Sequence, residues 1–95
     1  METHEFQSSD AFMKWARLAV KLQRYDRAPV GTQIWTYADG HIAQTRWGKM
    51  GKTAGANLGF MISIANGKLD QQGDKRLIED IDTRGGVVLA IDWGE

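Results

Sequence analysis

Residues 32–47 read TQIWTYADGHIAQTRW, with Asp39-Gly40 set between two runs rich in β-branched and aromatic side chains. An Asp-Gly pair flanked by such runs is a strong β-hairpin signal. A two-residue turn at Asp39-Gly40 places Ala38 opposite His41, Tyr37 opposite Ile42, and Trp35 opposite Gln44. Gln33, Trp35, Tyr37, Ile42, Gln44 and Arg46 then share one face. Ile34, Thr36, Ala38, Ala43, Thr45 and Trp47 share the other. Neither face is cleanly polar, so the pattern leaves open which one packs inward.

Upstream of this hairpin, Ser8-Ser9-Asp10 has the form of a helix N-cap with an acid in the first turn. The spacing predicts a helix over residues 10–25. Phe12, Trp15, Ala16, Ala19 and Leu22 recur at intervals of three and four and form its buried stripe. Arg24 and Arg27 lie near its C-terminal end, and Pro29 prevents continuation. Residues 1–8 are polar and are expected to be a flexible tail.

Downstream, FMISIA (Phe60–Ala65) reads as a buried strand turned by Asn66-Gly67, with a short partner at Lys68–Asp70. A helix over Asn57–Ala65 competes with that reading, because short apolar runs do not separate the two periods. Residues 74–83 form a second helix with Leu77, Ile78 and Ile81 inward, stopped by Arg84-Gly85-Gly86. VVLAIDW (Val87–Trp93) is a final, mostly buried strand. The expected order is α-β-β-β-(β)-α-β. Residues 1–95 are thus read as a single α+β domain, an N-terminal helix packed on a small, mostly antiparallel sheet.

The chain carries 12 basic and 12 acidic side chains. Residues 1–53 hold eight basic and five acidic groups, and residues 54–95 hold four and seven, so the halves are +3 and −3. A neutral total argues against strong non-specific binding to nucleic acid, which needs a positive excess. With no cysteine, disulfides and thiolate–metal sites are excluded. METHEFQSSD is not a signal peptide, and no apolar run approaches a membrane span, so no membrane partner is expected and the cytoplasm is the expected location.

Charge and glycine concentrate in Thr45–Gly59, TRWGKMGKTAGANLG, where Arg46, Lys49 and Lys52 alternate with Gly48, Gly51, Gly55 and Gly59. Cations on glycine-permitted backbone approach phosphates or acidic surfaces closely. The segment ends in Gly51-Lys52-Thr53, yet only two residues separate its glycines where a phosphate loop needs four. A nucleotide-hydrolysing loop is therefore excluded, and a plain inter-strand connection is the alternative to a partner-contacting loop.

YADG followed by TRWGKMG resembles the WGR domain, a small β-rich module of nucleic-acid-associated proteins. The resemblance covers residues 34–51, with Lys49 standing where the family has its name-giving arginine. It implies a structural or stacking role for Trp47 and phosphate-facing roles for Arg46 and Lys49.

Other motifs are poor. His4 falls in the expected tail and His41 in the hairpin turn, which leaves no Ser–His pair with an orienting third group. Asp80-x-Asp82 imitates the opening of a calcium loop, but Arg84 and Ile91 stand where oxygen ligands are needed. Asp92 suits an edge or cap position better than a metal site. No catalytic residue, cofactor or metal is expected.

A non-enzymatic binding protein remains, a small inhibitor or adaptor of the kind phages and mobile elements encode, engaging a protein or nucleoprotein complex. Trp35, Tyr37, Arg46, Trp47, Lys49 and Lys52 are its expected contacts, since aromatics and arginine are the usual interface anchors. Direct nucleic-acid binding by cations and stacked rings is the alternative, and a small enzyme with an unrecognised carboxylate site is the third reading. A homodimer through the Val87–Trp93 edge is a further expectation.

Overall fold

The computed structural model describes residues 1–27, 30–47 and 72–94. In chain order these form β1 (Glu2–Phe6), α1 (Ser9–Lys21), α2 (Arg24–Arg27), β2 (Gly31–Tyr37), β3 (Ile42–Trp47), α3 (Gln72–Thr83) and β4 (Val87–Asp92). The strands make one sheet in the order β1-β4-β2-β3, antiparallel at every pairing. The architecture is α+β, as the sequence pattern implied. The expected strands at Phe60–Ala65 and Lys68–Asp70, the helical alternative over Asn57–Ala65, and the glycines of 48–59 lie outside the described residues.

α1 begins where its cap residues place it. Ser8 is extended, and its Oγ accepts the Ala11 N–H at 3.3 Å, with Asp10 in the first turn. Phe12, Ala16 and Ala19 face the core. The helix stops earlier than its periodicity suggested, because Gln23 adopts a left-handed φ of 56° and redirects the chain into α2. Leu22, expected in the buried stripe, becomes the C-cap and is 52% exposed. α3 ends as predicted. Gly85 and Gly86 take φ of 87° and 113°, and the Gly86 N–H reaches back to the Ile81 carbonyl at 2.8 Å. That six-to-one bond satisfies a terminal carbonyl of the helix.

Two expectations need correction. The expected tail is instead β1, paired with β4 from Glu2↔Ile91 to Phe6↔Val87. Glu2, His4 and Phe6 alternate toward the helices, and burial of Phe6 against Phe12 and Trp15 fixes the strand. β4, expected as a dimerising edge, lies between β1 and β2 with both sides of its ladder used. Among the described residues, β1 and β3 end the sheet instead.

The hairpin register also differs from expectation by one residue. Tyr37 donates its N–H to the His41 carbonyl at 2.8 Å, and the Gly40 N–H donates to the Tyr37 carbonyl at 2.9 Å. The loop is therefore Ala38-Asp39-Gly40, a turn followed by a glycine at φ 93°. Trp35 faces Ala43 and Ile34 faces Gln44. Because side chains alternate, the slip moves all of β3 to the other face relative to β2.

One sheet face packs against α1 and α3. Trp35, Tyr37, Val87, Leu89, Ile91 and Phe6 meet Phe12, Ala16, Ala19 and Ile81 in a continuous core, with Leu77 and Ile78 half-buried beside it. Buried Gln33 and the Trp35 indole N–H both donate to Thr45 Oγ1, each at 3.3 Å. The shifted register makes this possible, since it puts Thr45 directly opposite Gln33.

Candidate binding surface on the hairpin

Six residues were expected as contacts, and the structure separates them. Trp35 is 2% exposed and Tyr37 4%, and both lie in the core beneath the helices. Neither ring is available to stack on a base or enter a partner's pocket. Arg46 is exposed on the opposite face of the sheet. Trp47 is the last residue of β3, with its backbone paired to Gly31. Lys49 and Lys52 lie outside the described residues. The expected interleaving of cations and aromatics on one hairpin face is thus divided by the one-residue slip.

The structure assembles a different surface. On the sheet face away from α1 and α3, the register aligns three rows. Glu5, Val88, Thr36 and Ile42 form the first; Thr3, Ala90, Ile34 and Gln44 the second; Asp92, Thr32 and Arg46 the third. At the β3 margin, Ile42, Gln44 and Arg46 are all exposed, Ile42 by 62%. An isoleucine so placed, opposite Thr36 and flanked along the strand by Gln44 with Arg46 beyond it, is an apolar contact point with a polar surround. Sequence reasoning put the same three residues on one face but joined them to the wrong half of β2. The signal that could have found the true register was small Ala43, which fits beside buried Trp35 where Gln44 would not.

Polar clusters elsewhere tie elements together. Glu2 accepts two bonds from the Arg24 guanidinium and one contact of 2.6 Å from His4 Nε2. Arg24 lies 4.5 Å from the centroid of the Trp93 ring, and the His4 ring lies 4.9 Å from Trp15. The Arg24 hydrogen bonds, partly opposed by burial, hold the Glu2 carboxyl at about 2. A shallow cleft beside this cluster is lined by Met1, Glu2, Arg24, Ile91, Asp92 and Trp93.

Asp39 and Arg84 join the hairpin loop to the α3–β4 turn at 2.7 Å, assisted by an Ala38 N–H bond to the Gly86 carbonyl. The His41 backbone N–H and then Arg84 lower the Asp39 carboxyl, while burial and then the Asp80 charge raise the Tyr37 phenol. Asp82, part of the apparent calcium-loop opening, instead accepts the Ser9 N–H at 2.8 Å and the Ser9 hydroxyl at 2.7 Å. It caps α1 from the end of α3, and the Ser9 hydroxyl and then the Ser9 N–H hold its carboxyl below the usual carboxylate range. Asp92 accepts the Gly94 N–H at 2.9 Å, closing the end of β4. Each cluster has a sufficient structural purpose.

Among the described residues, no helix is long and apolar enough to cross a membrane. No protein-family model, curated protein or solved structure matches the chain.

Proposed function

We propose that this chain is a non-enzymatic binding protein, an inhibitor or adaptor that engages a protein or nucleoprotein complex through the β2–β3 hairpin and the basic segment after it. The observation that carries this reading is the exposed trio Ile42, Gln44 and Arg46 at the sheet margin. An apolar anchor and an arginine on one strand face of an antiparallel scaffold are how small interfaces concentrate affinity. Burial of Trp35 and Tyr37 removes two stacking platforms and so favours a protein partner over bare nucleic acid.

The test is affinity capture from a host lysate with wild-type chain and an Ile42→Asp, Arg46→Glu double variant. A stoichiometric partner retained by wild type and reduced at least about ten-fold by the variant supports the reading. No stoichiometric partner, or equal capture by both, overturns it. A salt-graded gel shift provides the second arm: nucleic-acid binding that weakens with salt and with Arg46→Glu would favour direct phosphate contact instead.

A further inference from the structure

The outer side of β3 is paired with no strand among the described residues. In an antiparallel pair, successive residues send their backbone groups alternately toward the partner strand and away from it. The bond from Tyr37 N–H to the His41 carbonyl identifies Tyr37–His41 as a hydrogen-bonded pair. Alternation along the unbroken register then directs the N–H and C=O of Ala43 and Thr45 toward β2. Those of Ile42, Gln44 and Arg46 point to the outer margin, where no strand among the described residues pairs with them.

The two outermost described strands differ in the protective features they carry themselves. β1 has five residues, turns Glu2 and His4 inward, and locks Glu2 to Arg24. Short length and inward charge are common ways to prevent edge pairing. β3 has none of these devices. It contains no proline, no acid and no bulge over its six paired residues, and Arg46 is its one charged side chain.

We propose that β3 takes up an extended peptide segment of the partner as an added antiparallel strand, with an acidic residue across from Arg46 and an apolar residue across from Ile42. This rests on the hairpin being the binding surface and specifies how it binds. Main-chain bonds to Ile42, Gln44 and Arg46 supply affinity, and the two side chains supply selectivity. The acid is called for because Arg46 makes no ion pair with a described residue; Asp92 shares its row but lies two strands away. A second copy of this chain is the poorer occupant, since β3 holds no carboxylate to offer Arg46 across a two-fold axis.

The experiment uses the full chain and a fluorescein-labelled peptide carrying a glutamate four residues before a valine, in a background of threonine. That spacing matches Arg46 and Ile42 in antiparallel addition. Binding is read by polarisation, and folding of each variant by circular dichroism and thermal melting. Gln44→Pro removes an outward N–H without breaking the β2 ladder; Gln44→Ala removes only the side chain. Saturable binding, weakened at least about ten-fold by Gln44→Pro or by lysine in place of the glutamate but less than about three-fold by Gln44→Ala, supports the proposal.

No saturation up to about 1 mM peptide, or equal binding by folded Gln44→Pro, overturns it. A concentration-dependent dimer in sedimentation, abolished by Gln44→Pro, also overturns it in favour of self-pairing. A captured partner lost with Ile42→Asp, Arg46→Glu but retained by Gln44→Pro would overturn strand addition while leaving the binding surface standing.

Discussion

Glu2 is the residue whose ionisation the fold depends on most visibly. Its folded carboxyl titrates at about 2 against an ordinary value of 4.5. The native state therefore binds the proton more weakly than the unfolded chain does. The resulting stabilisation is fully present above pH 4.5 and is lost as pH falls toward about 2. With the side chain 30% exposed, solvent screening limits the effect to on the order of 1–2 kcal/mol. Urea midpoints measured between these pH values should fall for wild type. The part due to this group should vanish in Glu2→Gln, which is already destabilised at neutral pH. An unchanged pH slope in the variant would contradict the assignment.

Two further side chains make a sharper contrast, because both were expected as contacts. Trp35→Ala empties the centre of the core and should cost about 3–5 kcal/mol. Arg46→Ala at an exposed site should change stability by less than about 0.5 kcal/mol. Chemical denaturation of both variants checks this. Comparable losses would mean that Arg46 belongs to the scaffold.

At the scale of elements, the glycines divide by surroundings. A Cβ at Gly86 would lie 2.8 Å from the Phe6 carbonyl oxygen, in addition to a φ of 113°. A Cβ at Gly40 would meet nothing within 4 Å, so only its φ of 93° resists substitution. Gly40→Ala should therefore lower stability by about 1 kcal/mol, and Gly86→Ala by about 2–3 kcal/mol, since backbone must move. Thermal melts that rank the two in reverse would refute the packing described for the α3–β4 turn.

Elements were the most legible part of this chain. Ser8 and Asp10 announced the start of α1, Gly85-Gly86 the end of α3, and the Leu77, Ile78, Ile81 spacing its inner face. Asp39-Gly40 correctly marked a hairpin but not its loop length, and length sets register. The choice between two and three residues is made by tertiary packing: burying Trp35 and Tyr37 requires Ala43 and Thr45 beside them. Local sequence carries no direct record of that requirement. The end of α1 was missed for a similar reason, because a glutamine at left-handed φ has no strong sequence signature.

At the scale of the molecule, the N-terminal segment is where sequence and structure diverge most. METHEF looked like a polar tail because only Phe6 is strongly apolar. Glu2 is instead bound by Arg24, distant in sequence, and His4 contacts Glu2 in turn. Residues 1–6 are thus part of the cooperative unit. Their removal should expose one side of the β4 ladder and open the ring cluster of Phe12 and Trp15, converting a sharp thermal transition into a broad or absent one. Calorimetry on the shortened chain checks this, and an unaltered transition would show β1 to be dispensable.

The position of β4 bears on how the chain is synthesised. β1 and β2 run in the same direction, and the strand that must fill the gap between them is the last one described. Until Val87–Asp92 emerges from the ribosome, the nascent chain can form α1 and close the β2–β3 hairpin. It cannot join β1 to β2 or seal the core. Sealing of the core consequently waits for β4, and the waiting intermediate holds an unpaired β1 and a half-paired β2 that neighbouring chains on a polysome could capture.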